Sequence, residues 1–552
     1  MNNILYGGYE GSEEEIYQGA RSLGEALLNK LRAAGQRIIL VDGLTGEEIN
    51  AQTFISKAIC LAQYLQEKFG VKSGDVISIC SENRIELAIT IHATLFLGAT
   101  VAPLNHSYGE YEMAHAIKLS KPRVIFVSPK NSKTIAAVSQ KVNFVEQIIL
   151  YADGCNTENQ KAISFNQITD CQLTNSQLEH FKCEPQNVKE NVALIMCSSG
   201  TTGLPKGVQL TQFNLFITSV QSHGRLQSLE TPASGESIIL GNIPMFHSFG
   251  MVTYIIRFLA RGTYIIKTIL MSRFTEEEFL GCIQKYRVTT VSLVPAIMVL
   301  LAKSSLVPKY DLSSWHVAAY GAAPLGKEIE TEVKNRIGFK VVRQGYGLTE
   351  STLVICQQDD EHHTNGSVGV LVKGLYARVV DVNSGKWLGP RQKGEIHVKG
   401  PSVMKGYIGN KKATDETIDA DGWMRTGDIG YYDEKGEWYV VDRLKELIKY
   451  KSFQVPPAEV EAFLLTHPEI RDAGVIGVPN ELTGEVAFAF VVKQPNAQIK
   501  EIDVINYVAE RLSNPKRLHG GVMFVDAIPK NPSGKILRRV LRENIKNYKS
   551  KL

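Results

Sequence analysis

The sequence predicts an α/β protein of at least two domains: a large N-terminal domain of mainly parallel sheets flanked by helices, a β-rich subdomain within it, and a small mobile α+β C-terminal domain. Three observations carry this. Short β-branched runs alternate with longer stretches of helical periodicity; the pattern then changes to closely spaced strands; a charged segment then precedes a self-sufficient unit of about 110 residues, an ordinary domain size. A chain of 552 residues that is 44% hydrophobic has apolar surface for one large core and one smaller one.

The first strands are DVISIC (75–80), RVIFV (123–127), QIILY (147–151) and VALIMC (192–197), with helical spacing between them, as over residues 83–97. Strands separated by helices predict parallel pairing, because a parallel partner is reached only through a crossover. From about 366 to 440 the runs ARVVDV and GEIHVKG, split by the turn signal Asn383-Ser384-Gly385, predict the β-rich subdomain. The N-terminal domain is read as residues 1–441. Residues 442–445, from Asp442 to Lys445, form a charged hinge, and 446–552 form the C-terminal domain, a lid. In that domain Pro456-Pro457 opens the helix AEVEAFLLTH, GVIGV and VAFAFVV are strands, and a further helix lies near 504–512. There are no repeats and no low-complexity segment.

Lys+Arg 61 against Asp+Glu 57 gives a net charge of +4 without a long single-sign block, which argues against nucleic acid as a partner. No stretch reaches the ~18 to 20 apolar residues of a membrane helix, and the start MNNILYGGYEGSEEE is not a secretory leader, so a soluble intracellular protein is expected. Eight cysteines, none in a C-x-x-C pair, predict neither a zinc site nor a disulfide framework but reduced thiols. Ser550-Lys551-Leu552 reads as an address for a peroxisomal import receptor, in a tail kept solvated by Lys546, Lys549 and Lys551; the localisation expected is the peroxisome.

Directly after VALIMC come Ser198, Ser199, Gly200, Thr201, Thr202, Gly203, Leu204, Pro205, Lys206 and Gly207. Small residues let backbone approach an anion, hydroxyls and N–H groups donate to phosphate oxygens, and Lys206 adds a charge. A Walker loop ends Gly-Lys-Ser/Thr, whereas here Pro205 precedes the lysine and Gly207 follows it, so this is a phosphate loop of another kind. A Ser/Thr/Gly-rich surface turn is the alternative. SSGTTGLPKGV resembles the signature loop of the adenylate-forming superfamily, which contains acyl-CoA synthetases, coumarate-CoA-type ligases and beetle luciferases. Four further blocks agree in order: YGAAPLGKE (320–328), RQGYGLTES (343–351), GWMRTGDIGYYDEKGEWYVVDRLKELIKYK (422–451) and NPSGKILRR (531–539). Within the superfamily the chain resembles the insect luciferase-like acyl-CoA synthetases.

The resemblance implies ATP, Mg²⁺ and coenzyme A as cofactors and a small carboxylic acid as substrate. It places adenine against Gly321, Ala322, Ala323 and Pro324 and against Gln344, Gly345, Tyr346 and Gly347, with Tyr346 stacking on the base. It gives Thr349 the α-phosphate and Glu350 the metal, although Leu348-Thr349-Glu350-Ser351 alone reads as a helix cap. Asp428 and Arg443 are the implied ribose contacts, where a lone Asp is otherwise a turn residue. Lys535 would bridge carboxylate and phosphate oxygens during adenylation, an electrostatic role that an exposed tail lysine lacks. His247, otherwise a packed core histidine, would position the carboxylate, with Phe249, Thr253 and Leu353 lining the acid pocket. Rotation about Asp442 to Lys445 would then present Lys449 and the loop containing Ser452 to coenzyme A.

Two positions depart from the family. Ser452 stands where KYK is usually followed by Gly, and Leu353 stands where beetle luciferases typically carry Ser; their arginine on the helix after the phosphate loop has no clear counterpart among residues 216–221. The expected activity is therefore a medium- or long-chain fatty acyl-CoA synthetase, forming acyl-AMP and then the thioester. A beetle-type luciferase and an aryl-acid CoA ligase are the alternatives. A non-catalytic carboxylate-binding protein is disfavoured because Lys206, Glu350, Asp428, Arg443 and Lys535 are all present.

Overall fold

The computed structural model describes residues 4–8, 13–17, 19–152, 163–198, 205–230, 237–259, 266–323, 325–359, 361–451, 453–531 and 534–549, without the side chains of 13–14, 222–230 and 546–549. Four sheets carry the chain. An eight-stranded sheet is built around Val76–Cys80, Thr100–Leu104, Val124–Val127, Gln147–Leu150 and Val192–Ser198, all parallel. A nine-stranded sheet has a parallel centre that includes Ile238–Gly241, Thr290–Leu293, Val317–Tyr320 and Val341–Tyr346. Only the margins of both are antiparallel. The fold class is the one the alternating pattern predicts, with mixed rather than purely parallel sheets. A six-stranded antiparallel sheet that includes Tyr376–Val380, Gly394–Lys399, Met424–Tyr432 and Trp438–Arg443 follows, and a five-stranded sheet closes the chain.

The helix Ile85–Phe96 packs on Thr100–Leu104 of the first sheet and Ala51–Phe69 packs on that helix, with Phe54, Leu61, Ile89 and Phe96 buried. One expectation fails here. Cys60 and Cys171 are joined by a disulfide, their Cα atoms 6.2 Å apart, where reduced thiols were expected. Their separation of 111 residues conceals the pairing, which arises because the helix Phe165–Thr169 packs on Ala51–Phe69. Cys80, Cys183, Cys197 and Cys282 are free, and Cys155 lies outside the described residues. No helix among the described residues is long and apolar enough to cross a membrane.

The C-terminal unit has its own core of Ile448, Val475, Phe490, Val504 and Leu541. Glu461, on the helix Pro457–Leu464, is its polar keystone: it accepts two bonds from the Arg538 guanidinium at 2.7 and 2.8 Å and one from the Val475 N–H at 2.8 Å. Arg538 also donates to the Val475 carbonyl at 3.1 Å, so one pair ties a helix, a strand and the C-terminal helix Arg538–Lys549. This unit straddles the helix Pro295–Lys303 of the large domain. At one end Gly534 faces Val294 and Ala296; at the other the Lys303 ammonium donates to the carbonyls of Leu465 and Ile470.

Removing one member of a buried pair strands the other, at about 3–5 kcal/mol. Arg538→Met should therefore speed hydrogen exchange of the Ile470–Asn480 amides, and unchanged protection would show that the pair is dispensable. Gly347 presents a purely steric constraint, since a Cβ there would lie 1.5 Å from the Leu353 carbonyl oxygen. Gly347→Ala should lower stability by about 1–3 kcal/mol, read as a lower melting temperature, while an unshifted melt would mean that the loop yields freely.

Candidate active site

A cavity of about 470 Å³ lies where the large domain meets the C-terminal unit. At one end the strands Val192–Ser198 and Lys206–Thr211 run antiparallel, with Ser198 opposite Lys206. The segment read as a phosphate loop thus joins two antiparallel strands, whereas a Walker loop leads from a strand into a helix. Ser199, Gly200, Thr201, Thr202 and Gly203 lie outside the described residues, but Ser198 and Lys206 line the cavity. The Lys206 ammonium sits 4.6 Å from the centre of the Tyr407 ring, a cation–π contact, and the Tyr407 hydroxyl donates to the Glu350 carboxylate at 2.9 Å. His115 Nε2, 2.9 Å from the Pro205 carbonyl, braces the end of the loop.

Gly321, Ala322, Gly345, Tyr346 and Gly347 line the same cavity, while Pro324 lies outside the described residues. A Cβ on Gly321 would stand 2.7 Å from the Gly345 carbonyl, which explains glycine there; Ala322 is held at φ 75. Two positions in these segments do not reach the cavity. Ala323 is not among its lining residues, and the buried Gln344 side chain turns inward, its Oε1 3.2 Å from the Tyr320 hydroxyl oxygen, whose proton goes to Glu330 at 2.7 Å. The Tyr346 hydroxyl donates to Asp428 Oδ2 at 2.7 Å, and Arg443 Nε forms an ion pair with Asp428 Oδ1 at 2.7 Å. Asp428 and Arg443 face each other in register across Met424–Tyr432 and Trp438–Arg443. Arg443 lines the cavity, and Asp428 lies just behind it, 3% exposed.

Thr349 and Glu350 occupy a single 3₁₀ turn, Thr349–Ser351. Its cap is the Ser351 hydroxyl, which accepts from the Leu348 N–H at 3.0 Å and so leaves Glu350 to face the cavity. Thr349 Oγ1 is 2.9 Å from Ser248 Oγ. His247 Nδ1 accepts from the Phe249 N–H at 3.2 Å, so the neutral ring carries its proton on Nε2. Burial, reinforced by the nearby Lys535 ammonium, pushes His247 down to about 4 and keeps it neutral. Lys535 leaves the Gly534 turn with its N–H tied to Asn531 Oδ1 at 2.8 Å. Burial first, then the guanidinium of Arg443, lowers its ammonium to about 8.

Among the acid-pocket residues, Phe249, Thr253 and Leu353 all line the cavity, Leu353 at φ 99. At the hinge, Lys445 also lines it, whereas the buried Asp442 accepts from the Arg443 N–H at 2.7 Å and the Ala458 N–H at 3.0 Å. Lys449 is not brought in: it is exposed, and its N–H donates to Glu485 at 2.8 Å. Ser452 lies outside the described residues. Sequence reasoning passed over Arg257, Thr290, Ser292, Arg343 and Tyr407, all of which line the cavity. Helical spacing could have found Arg257, four residues after Thr253 and eight after Phe249 on the helix Ser248–Leu259. Nothing local to Tyr407 marks it.

The model of the AMP-binding enzyme family matches residues 29–408, and that of the AMP-binding enzyme C-terminal domain matches 459–535. The chain is 41% identical over 515 residues to a luciferin 4-monooxygenase of Nipponoluciola cruciata, covering 93% of this chain and 92% of the relative. It is 37% identical over 536 residues to a probable 4-coumarate–CoA ligase of Dictyostelium discoideum, covering 94% of each. Among solved structures, ATP-bound MatB from Rhodopseudomonas palustris superposes with a TM-score of 0.83 at 27% identity, over 96% of this chain and 99% of that one. With a buried lysine delivered from the C-terminal unit and this similarity along nearly its whole length, the chain belongs to the AMP-binding enzymes of the adenylate-forming superfamily.

Proposed function

We propose that this adenylate-forming enzyme activates a medium- or long-chain fatty acid with ATP and passes the acyl group to coenzyme A. The observation that carries the chemistry is the convergence of Lys535, His247, Thr349 and Arg443 on one cavity. An oxygen of the acid attacks the α-phosphorus, the bond to the β-phosphate oxygen breaks, and pyrophosphate leaves with that electron pair. Two anions must meet for this, and the buried Lys535 ammonium offsets their repulsion where little water competes. Neutral His247 offers an Nε2–H to the carboxylate without adding charge, and Thr349 offers its hydroxyl to the α-phosphate.

Arg443, held by Asp428, is the ribose-side donor. Glu350, with one oxygen held by the Tyr407 hydroxyl, would hold Mg²⁺, a hard cation suited to a carboxylate oxygen. There it would neutralise polyphosphate charge. In the second step the coenzyme A sulfur attacks the acyl carbonyl, the carbon–oxygen bond to AMP breaks, and the thiol proton passes to solvent. Rotation about Asp442 to Lys445 would withdraw Lys535 and bring Lys449 and Ser452 forward. The apolar walls, Phe249, Ile256, Leu348, Leu353 and Val354, suit an alkyl chain. Ser550-Lys551-Leu552, outside the described residues, supports delivery to the peroxisome.

The beetle relatives support a second reading, luciferin adenylation and oxidation. Pyrophosphate release over saturated fatty acids, coumarate and luciferin separates the readings: a fatty acid should respond and yield its thioester with coenzyme A, and Lys535→Ala should cut release by on the order of 10²–10³. Light with luciferin and no response to any fatty acid would replace the first reading by the second. Lys535 also sets a pH limit. Its ammonium is present below about 8 and lost above it, so kcat/KM for pyrophosphate release should fall on an alkaline limb near pH 8. Lys535→Arg should move that limb upward; a wild-type profile flat through this range would remove the ammonium from the mechanism.

A further inference from the structure

Lys206 and Glu350 carry opposite charges and face one cavity, and a single side chain touches both. The strand Gly406–Tyr407 runs antiparallel to Lys206–Thr211, with Tyr407 opposite Val208. Lys206 lies two residues before Val208 on the same face of its strand, so it is the diagonal neighbour of Tyr407 and within reach of an aromatic ring. The ring takes the ammonium on its face, 4.6 Å from the centre, and its hydroxyl donates to Glu350 Oε1 at 2.9 Å. The backbone leaves this arrangement little play. The Ile408 N–H donates to the Gly207 carbonyl at 2.8 Å, the Lys405 N–H to the Gln209 carbonyl at 3.0 Å and the Met404 N–H to the Glu350 carbonyl at 2.8 Å. One short segment is therefore stitched both to the strand that bears the lysine and to the turn that bears the glutamate. Tyr407, 8% exposed, also donates its own N–H to the Thr414 hydroxyl at 2.9 Å.

An ammonium and a carboxylate that line the same partly enclosed cavity attract strongly, because little water screens them. Joined directly, each would cancel what the other offers: the cation meant for phosphate, and the carboxylate meant for a metal ion. A nucleotide would then have to part them before it could bind. Tyr407 gives each charge a neutral partner instead, an aromatic face for the ammonium and one hydroxyl proton for the carboxylate. Neither contact cancels a charge. We propose, on the adenylation reading that puts the polyphosphate at these two residues, that Tyr407 is a positioning residue: it keeps Lys206 and Glu350 from closing on each other and so holds the polyphosphate end of the cavity open. It touches no reacting atom. Its effect is on populations: it raises the fraction of molecules competent to bind the nucleotide, and the apparent dissociation constant falls in proportion.

Equilibrium binding of ATP to the full chain in EDTA, followed by calorimetry, isolates these charges from any metal ion. Tyr407→Leu, which removes both contacts, should weaken ATP binding by about tenfold, and Tyr407→Phe, which keeps the ring over the ammonium, by about threefold. AMP lacks the β- and γ-phosphates, so Tyr407→Leu should weaken its binding by less than about threefold. Equal losses for the two nucleotides would mark a general loosening of the site and overturn the role. The decisive comparison is a double-mutant cycle with Glu350→Gln. With no carboxylate left to capture Lys206, the glutamine should restore ATP binding in the Tyr407→Leu chain by on the order of tenfold, several times the gain it gives in the wild-type chain. Equal gains in both, or an unchanged dissociation constant in Tyr407→Leu, would show that Tyr407 separates nothing. If the leucine variant does not fold, the same cycle on Tyr407→Phe decides between these outcomes at smaller amplitude. A wild-type chain that binds no ATP sinks the adenylation reading and the role together, whereas ATP binding without coupling between Tyr407 and Glu350 sinks the role alone.

Discussion

One electrostatic constraint organises the proposed chemistry: a buried ammonium must stand where a carboxylate and a phosphate would meet. Lys535 meets it from outside the large domain, on a turn whose Gly534 abuts Val294 and Ala296. An ammonium in that position is desolvated and faces the guanidinium of Arg443, so it is held near the point at which it loses its proton. The surrounding architecture offsets that cost. Asn531 fixes the backbone of the turn, and Arg538, three residues on, is clamped by Glu461 and Val475. The lysine is poised because the elements on either side of it are rigid.

The same logic runs through the junction between the two domains. Asp428 fixes Arg443 on one side and the Tyr346 hydroxyl on the other, so the proposed ribose and adenine contacts share one carboxylate. The next residue, Leu444, donates its N–H to the Gly427 carbonyl, and Asp442 spans to Ala458 at the start of the helix Pro457–Leu464. The nucleotide end of the cavity and the chain that leads to the C-terminal unit are therefore one hydrogen-bonded structure. Contacts made to a nucleotide at Arg443 bear directly on the segment about which the C-terminal unit is proposed to turn.

Much of this was legible in the sequence, for identifiable reasons. The parallel strands announce themselves because buried strands are short, continuous and β-branched, and Pro457 marks the start of its helix because its missing N–H is harmless there. Lys206, Glu350, Arg443 and Lys535 were found through local motifs, and the structure brings them to one cavity. What escaped was contact between distant segments. Cys60 and Cys171 approach only through packing of two helices, and Gln344 turns away because its strand neighbours Arg343 and Gly345 take the cavity face. Arg257 and Ser292 each look unremarkable in isolation, and their hydrogen bond appears only when helix and sheet are set against each other.

That last juxtaposition bears on how specificity is built in this fold. The groups proposed to act on phosphate and carboxylate come from loops, turns and a second domain, whereas the proposed acid pocket is enclosed by one helix and a parallel sheet face. His247 precedes the helix Ser248–Leu259 and Arg257 lies near its end, so a single stiff element fixes the spacing between the reacting end of the acid and the far wall. Substitution along that helix, or at Thr290, Ser292 and Ala319 opposite, alters the far wall while Lys535, Thr349 and Arg443 stay in place. The chemistry and the choice of acid are therefore separable, and a pocket of this design can change its substrate without rebuilding its catalyst.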